Sequence, residues 1–248
     1  MARPDAQAAA GGAVITPALT TELVPVHGAL ARVAFRRSAR ASKISLRIDA
    51  SEGGIVITLP LRASRRAGLS LLQSHEAWVA EKLAALPAAL PFAAGACVPV
   101  NGVPHVITPV AQGRGGAWIS EGRIYVTGGP EFLRRRVTDA LKRLARQRLT
   151  ALAAEKSRAA GLAPKAVRVK DTKSRWGSCA PDGTLAFCWR LILAPDFVQD
   201  YVVGHEVAHL RHMNHGRQFW ALTESLTPHR GAASTWLGSN GQALLRIG

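Results

Sequence analysis

Cysteine is scarce in this 248-residue chain, and the three present, Cys97, Cys179 and Cys188, are too few to frame a disulfide-stapled secreted scaffold. No run approaches the roughly 18 consecutive apolar residues of a membrane span, which excludes an integral membrane protein. The first 28 residues lack the apolar core of a secretory signal, so the expected address is the cytoplasm. Acidic residues are also few: 16 Asp and Glu stand against 32 Lys and Arg, a net charge of +16. Such a balance favours non-specific association with nucleic acid or nucleotide. A rival reading is base composition, because 25 of the 32 are arginine and the basic residues are spread along the chain. With 48% hydrophobic residues the chain has enough apolar material for a packed core, so wholesale disorder is excluded.

The pattern changes near residue 129. Residues 1–28 read as a flexible tail of small residues without a sustained period. From residue 29 to 128 a small β-rich module with one helix is expected. Ile44, Leu46 and Ile48 alternate with polar residues, and Ile55–Leu59 follows a Gly53-Gly54 turn. A helix fits Arg65 to about Leu86, with Leu71, Leu72, Trp78, Val79 and Leu83 on one face and Pro87 as its stop. Asn101-Gly102 marks a hairpin whose flanking prolines suggest an edge position, and Glu121-Gly122 marks another.

Residues 129–248 read as a second domain, richer in helix, giving an α+β fold. Leu133, Val137, Leu141, Leu144 and Leu152 recur at helical spacing between Pro130 and Ala160. The Arg/Lys face of this helix reads as a solvated surface before it reads as a nucleic-acid stripe. Val167–Val169 and Thr184–Phe187 are short strand candidates joined by a loop containing Ser174–Cys179. Trp176 and Trp189 read as core anchors, and Cys179 as a free buried thiol. A further helix starts at Pro195, with two more around Gln218–Ser225 and Ala232–Leu245.

Residues 205–209 read His-Glu-Val-Ala-His, a pentapeptide pattern that chance would place about 0.01 times in such a chain. On a helix, positions i and i+4 lie one above the other, so His205 and His209 can both reach one zinc ion at about 2.0–2.1 Å. Glu206, one residue on, can reach a water on that ion and serve as general base. Catalytic zinc needs a third protein ligand. His215 stands six residues after His209, provided the chain turns first, with Asn214 and Gly216 best suited to left-handed backbone there. Glu224 is the rival ligand, and His215 is favoured. Metzincins share the His-x-x-x-x-x-His spacing but carry a glycine at the position of His212 and need a downstream Met-turn. Met1 and Met213 are the sole methionines.

The run from Asp171 through Trp176 to Ala180, then Cys188–Pro195, Asp200–His209, Met213–Gly216 and Phe219-Trp220, resembles the YgjP-like metallopeptidase family. The stretch Arg37–Ile48 is similar to that family's opening strands, and the likeness extends over about residues 32–247. The family is similar in turn to the DNA-associated SprT and WLM zinc proteases. The resemblance implies a zincin-like core, one catalytic zinc ion, His205, His209 and His215 as its ligands and Glu206 as base. It also implies that the Ser174–Cys179 loop lines a cleft, with the 184–187 strand pairing an extended peptide.

Zinc lowers the pKa of its bound water to roughly 7, so Glu206 can take that proton and later deliver it to a leaving amine. The developing oxyanion needs another donor, for which Arg175, Tyr201 and His212 are candidates. A loop-pinning salt bridge is the rival role for Arg175, core burial for Tyr201 and a surface position for His212. The leading expectation is a zinc-dependent peptidase acting on polypeptide. Two alternatives are a metal-dependent hydrolase of nucleoside triphosphates or other phosphoanhydrides, and a non-catalytic zinc module that binds nucleic acid. No phosphate-binding glycine loop accompanies the first, and Glu206 is superfluous in the second.

Overall fold

The computed structural model describes residues 20–113 and 116–248. Packing gathers them into two compact units, residues 20–49 with 53–84, and residues 50–52 with 85–248. No helix among the described residues is long and apolar enough to cross a membrane.

The first unit contains β1 (Thr20–Val26), β2 (Ala29–Ser38), β3 (Ser45–Asp49), β4 (Gly54–Pro60), α1 (Arg65–Ser74) and α2 (Glu76–Ala84). Its sheet runs β1-β2-β4-β3, with β2 and β4 parallel and the outer pairs antiparallel. The inner strand β4, Gly-Ile-Val-Ile-Thr-Leu-Pro, is apolar on successive residues apart from Thr58, and Gly54–Ile57 are all buried, as in a strand covered on both faces. The tail expected over 1–28 lies outside the described residues as far as residue 19. Beyond that it is corrected, because β1 pairs with β2 across a His27-Gly28 turn. Pro25 hides this strand in the sequence, yet β1 is an outer strand, where a proline is tolerated. The single helix expected from Arg65 to Leu86 is two helices broken at His75. That break leaves Leu72 and Val79 in the core while Trp78 stays 43% exposed.

The second unit opens with β5 (Cys97–Val100), β6 (Val103–Val110), β7 (Ala117–Ser120) and β8 (Arg123–Thr127), ordered β5-β6-β8-β7. Both hairpins form at their expected turns, and Asn101 and Gly102 take positive φ. The edge position inferred from the prolines holds for β5 but not for β6, which lies between β5 and β8. Pro104 precedes the stretch of β6 paired with β8, which begins at Val106, and Pro109 lies beyond the stretch paired with β5, which ends at Val106. Each proline therefore sits in one ladder only, Pro104 opposite Pro99 of β5 and Pro109 opposite Val126 of β8, where β6 has a partner on one side alone. Val98, Val100, Ile107, Ile124 and Val126 join one core with Leu133, Val137 and Leu141 of α3 (Pro130–Ala159). The packing boundary accordingly lies near residue 85, ahead of the change in pattern at 129, because this sheet needs the apolar face of α3 to bury its own.

Among the described residues, six of the nine basic residues on α3 make side-chain hydrogen bonds or ion pairs. Arg134, Arg136 and Arg143 donate to carbonyls of Gly248, Thr127 and Ala117, and Lys142, Arg148 and Lys156 pair with Asp171, Asp196 and Asp200. After α3 come β9 (Ala166–Lys170), β10 (Gly177–Cys179) and β11 (Thr184–Cys188), in the order β10-β11-β9. A 3-10 turn at Trp189–Leu193 leads into α4 (Asp196–Ala208), followed by α5 (Arg217–Leu226) and α6 (Arg230–Leu245). Pro195 caps α4 rather than opening it. β10 falls within what the sequence suggests is loop, since three residues, Gly-Ser-Cys, carry no alternation to read.

Candidate metal centre

α4 is buried along most of its length and brings His205, Glu206 and His209 to its last turn. The helix then ends in a tight turn in which the Ala208 carbonyl accepts from the N–H groups of Arg211 and His212. Neither Asn214 nor Gly216 adopts the left-handed backbone expected of it. Gly216 is extended, with φ −75° and ψ −179°, and caps α5. The chain reverses instead through the tight turn and the bends at residues 213 and 214, and this returns His215 to the end of α4.

The ligand-type nitrogens of His205, His209 and His215 all lie within 4.8 Å of one another. Nε2 of His205 and Nε2 of His215 are 3.2 Å apart. Two nitrogens about 2.0–2.1 Å from one tetrahedral zinc stand roughly 3.3 Å apart, so this pair fits such an ion. His209 Nδ1 lies 3.0 Å from the His212 carbonyl oxygen, which places its proton on Nδ1 and leaves Nε2 with its lone pair. Nδ1 of His205 is buried without a partner. Burial first, then the neighbouring His209, His215 and Arg230, pushes the His205 pKa down to about 4. Burial likewise lowers that of His209. Both rings are thus neutral at pH 7, the form that binds a metal.

Glu206 is 7% exposed, and burial raises its pKa to about 7 against the opposing charge of Arg175. Its room is made by Gly177 of β10. A Cβ at that position would stand 2.5 Å from Glu206 Cγ and 2.6 Å from Oε1. Two cavities meet at Gly177 and Glu206. The smaller, about 200 Å³, is lined also by Trp176, Tyr201, Val202 and His205. The larger, about 500 Å³, takes in Arg175, Cys179, His209, Met213 and His215.

Of the three transition-state candidates, Tyr201 lines the smaller cavity and Arg175 the larger, and Glu206 lines both. Arg175 is exposed and makes no ion pair among the described residues, so it does not pin its loop; Asp171 does so, paired to Arg190. His212 meets the site through its carbonyl, and its side chain lines neither cavity. Glu224 is not in the histidine group and pairs with Arg230 at 2.8 Å. Trp189 is a core anchor, whereas Trp176 also walls the smaller cavity. Cys179 is half-buried and lines the larger one, its pKa raised by burial and by Glu206.

Sequence reasoning assigned no role to Phe219 and Trp220. Phe219 is fully buried, its ring centroid 4.9, 4.5 and 4.8 Å from those of His205, His209 and His215. Trp220 stacks on His215 with ring centroids 5.5 Å apart, and the Arg230 guanidinium lies over the Trp220 ring, 3.6 Å from its centroid. The signal available was spacing, since Phe219 stands four residues after His215. The 184–187 strand is also reassigned: β11 lies between β10 and β9, so both its edges are taken, and the outer strand beside Glu206 is β10.

A family model described as the YgjP-like metallopeptidase domain matches residues 42–240. The chain belongs to the YgjP-like metallopeptidase family. Every residue of the cleft lies inside that matched span, and a metallopeptidase domain implies a metal, typically zinc. No curated relative matches the chain. A solved structure similar in part is the metallopeptidase zymogen of Pyrococcus abyssi abylysin, 18% identical, covering 37% of this chain and 93% of that one at a TM-score of 0.34.

Proposed function

We propose that the chain is a zinc-dependent peptidase with a zincin-like core, in which His205, His209 and His215 hold one ion and Glu206 is the general base. The observation that carries this reading is the convergence of three imidazoles beside a buried carboxylate with a pKa of about 7. A bound zinc supplies Lewis acidity, polarising a substrate carbonyl and acidifying water. Glu206 takes a proton from the attacking water on a carboxylate oxygen and returns it to the nitrogen of the leaving amine. A pKa near working pH suits both transfers. Arg175 offers positive charge to the oxygen that becomes negative, and Tyr201 lines the smaller, adjoining cavity. The His212 carbonyl holds His209 in the tautomer that presents Nε2. An extended peptide would pair with the open edge of β10, which brings its carbonyl past Gly177 toward Glu206.

A second reading, hydrolysis of a phosphoanhydride, draws on Arg175, whose charge in the larger cavity would equally suit a phosphate. One experiment separates the two. Zinc-loaded protein is incubated with a denatured polypeptide and mixed nucleoside triphosphates, and products are compared by mass spectrometry between wild type and Glu206→Gln. New peptide termini that depend on Glu206 are the expected result. Glu206-dependent loss of triphosphate with intact polypeptide would transfer the same base to phosphorus, and products equal in the two proteins would remove Glu206 as base.

A further inference from the structure

The candidate ligands arrive on two different elements. His205 and His209 ride on α4, while His215 precedes α5 by a single residue. The connection between them is sparse: among the described residues no backbone hydrogen bond involves Met213, Asn214 or His215. Their placement therefore depends on how α5 is held against α4. At the near end of α5, Phe219 packs beneath the three imidazoles. The far end is held by a residue from another part of the chain.

That residue is Lys156 of α3, 6% exposed. Its Nζ donates to the Leu226 carbonyl at 2.7 Å, at the last residue of α5, and pairs with Asp200 Oδ1 of α4 at 2.6 Å. A lysine is seldom buried unless its charge is matched. Here the match comes from one carboxylate and from the carbonyl end of a helix, where partial negative charge collects. The same junction accounts for Gly204, the residue before His205. A Cβ there would stand 3.2 Å from Thr227 Cγ2 and 3.5 Å from Lys156 Cδ, so the side chains at the end of α5 and of Lys156 close directly on the α4 backbone at this glycine. Thr223, fully buried, donates its hydroxyl to the Phe219 carbonyl at 2.9 Å, and the Thr227 N–H returns to the Thr223 carbonyl at 3.0 Å. Hydrogen bonds thus link the Phe219 backbone, through Thr223, to the Leu226–Thr227 peptide whose carbonyl Lys156 holds.

We infer that Lys156 is a positioning residue of the metal centre: by clamping the end of α5 to α4 it sets where His215 meets His205 and His209. The inference rests on the metal-centre reading above. Lys156 touches no ligand, so its effect must pass through His215, and this distinguishes it from a residue that merely stabilises the fold. Zinc affinity, measured by competition with a chromophoric chelator on the full chain, reads the effect without reference to activity. Lys156→Met is expected to weaken zinc binding about tenfold or more, the scale seen when groups behind metal ligands are removed. In a His215→Ala background the same substitution is expected to change affinity less than about twofold, because the ligand it places is gone.

An equal fold-loss in both backgrounds would make Lys156 a structural residue only, and unchanged affinity in both would leave it no role at the site; either overturns the inference. Should far-UV circular dichroism show Lys156→Met unfolded, Asp200→Asn keeps the bond to Leu226, removes the tie to α4 and is scored by the same two-background comparison. Wild-type protein that binds no zinc would overturn the metal-centre reading and this inference with it, an outcome visible before any variant is made.

Discussion

α4 and the segment that follows it make opposite contributions to the site. In α4, residues such as Val198, Val203, Val207 and Ala208 are fully buried, so the helix is a rigid post whose last turn presents His205 and His209 in a spacing fixed by the peptide geometry. Residues 213–218 are all exposed, and His215 among them owes its place to neighbours rather than to periodicity. Two-thirds of the proposed ligand set is thus local, and one-third is tertiary. A site of this kind fails in different ways depending on which part is disturbed.

The largest test of that contrast is ligand removal. His205→Ala or His209→Ala is expected to weaken zinc binding more than about 100-fold, beyond the range typical of groups behind ligands. His215→Ala should also lose zinc, but less severely, since its exposed ring is the least fixed of the three. Chelator competition measures all three, and equal losses would erase the distinction between the local and the tertiary halves. Next comes the aromatic floor. Phe219→Ala removes a fully buried ring and is expected to cost about 3–5 kcal/mol in urea or thermal unfolding. A cost under about 1 kcal/mol would mean that α5 is held without it.

A pH experiment probes the α4 half alone. In metal-free protein the folded-state pKa of Glu206, about 7, lies above its ordinary 4.5. The stability linked to its proton is therefore full below pH 4.5 and is lost as pH rises through 7. Glu206→Gln, which cannot ionise, should be more stable than wild type by about 3 kcal/mol above pH 7 and no more stable below pH 4.5. His205 works in the opposite sense: its pKa, lowered to about 4 from 6.5, removes stability as pH falls through that interval. Chemical denaturation of the two proteins between pH 4 and 8 checks the sign, and a gap independent of pH would show that the carboxyl is not desolvated. The smallest effect is expected at Glu224, whose partner Arg230 is reached at the surface. Glu224→Ala should leave zinc affinity within about twofold and stability within about 1 kcal/mol. Loss of zinc there would return the site to a carboxylate-liganded arrangement.

How far the sequence could be read follows the same division. His205, Glu206 and His209 stand out because helical spacing alone determines which side chains share a face. The extent of α3 and both hairpins of the second unit were legible for similar reasons, since each is marked by a period or by a turn pair such as Asn101-Gly102. What escaped is what depends on distant partners. β1 contains a proline that only an outer strand tolerates, and β10 is too short to show alternation. The grouping of β5–β8 with α3 depends on which apolar face covers which, a matter no local window contains. Phe219 has no legible role in the sequence, because nothing in Phe-Trp alone reveals that three imidazoles will rest on it. Lys156 is a charged residue in a helix full of them, and its burial is decided by Asp200 and Leu226, 44 and 70 residues away.

Gly177 gives the cleft an unusual mutational profile. Active sites are ordinarily disabled by taking something away: a ligand, a proton carrier, a charge. Here the gain of one carbon would serve as well, because a methyl group at 177 would occupy the volume that Glu206 Cγ and Oε1 now hold. The three imidazoles would keep their nitrogens, while the carboxylate would be forced out of line. Gly177→Ala is thereby an addition that acts as a deletion, and it offers a way to separate loading of the protein from turnover without altering one polar atom.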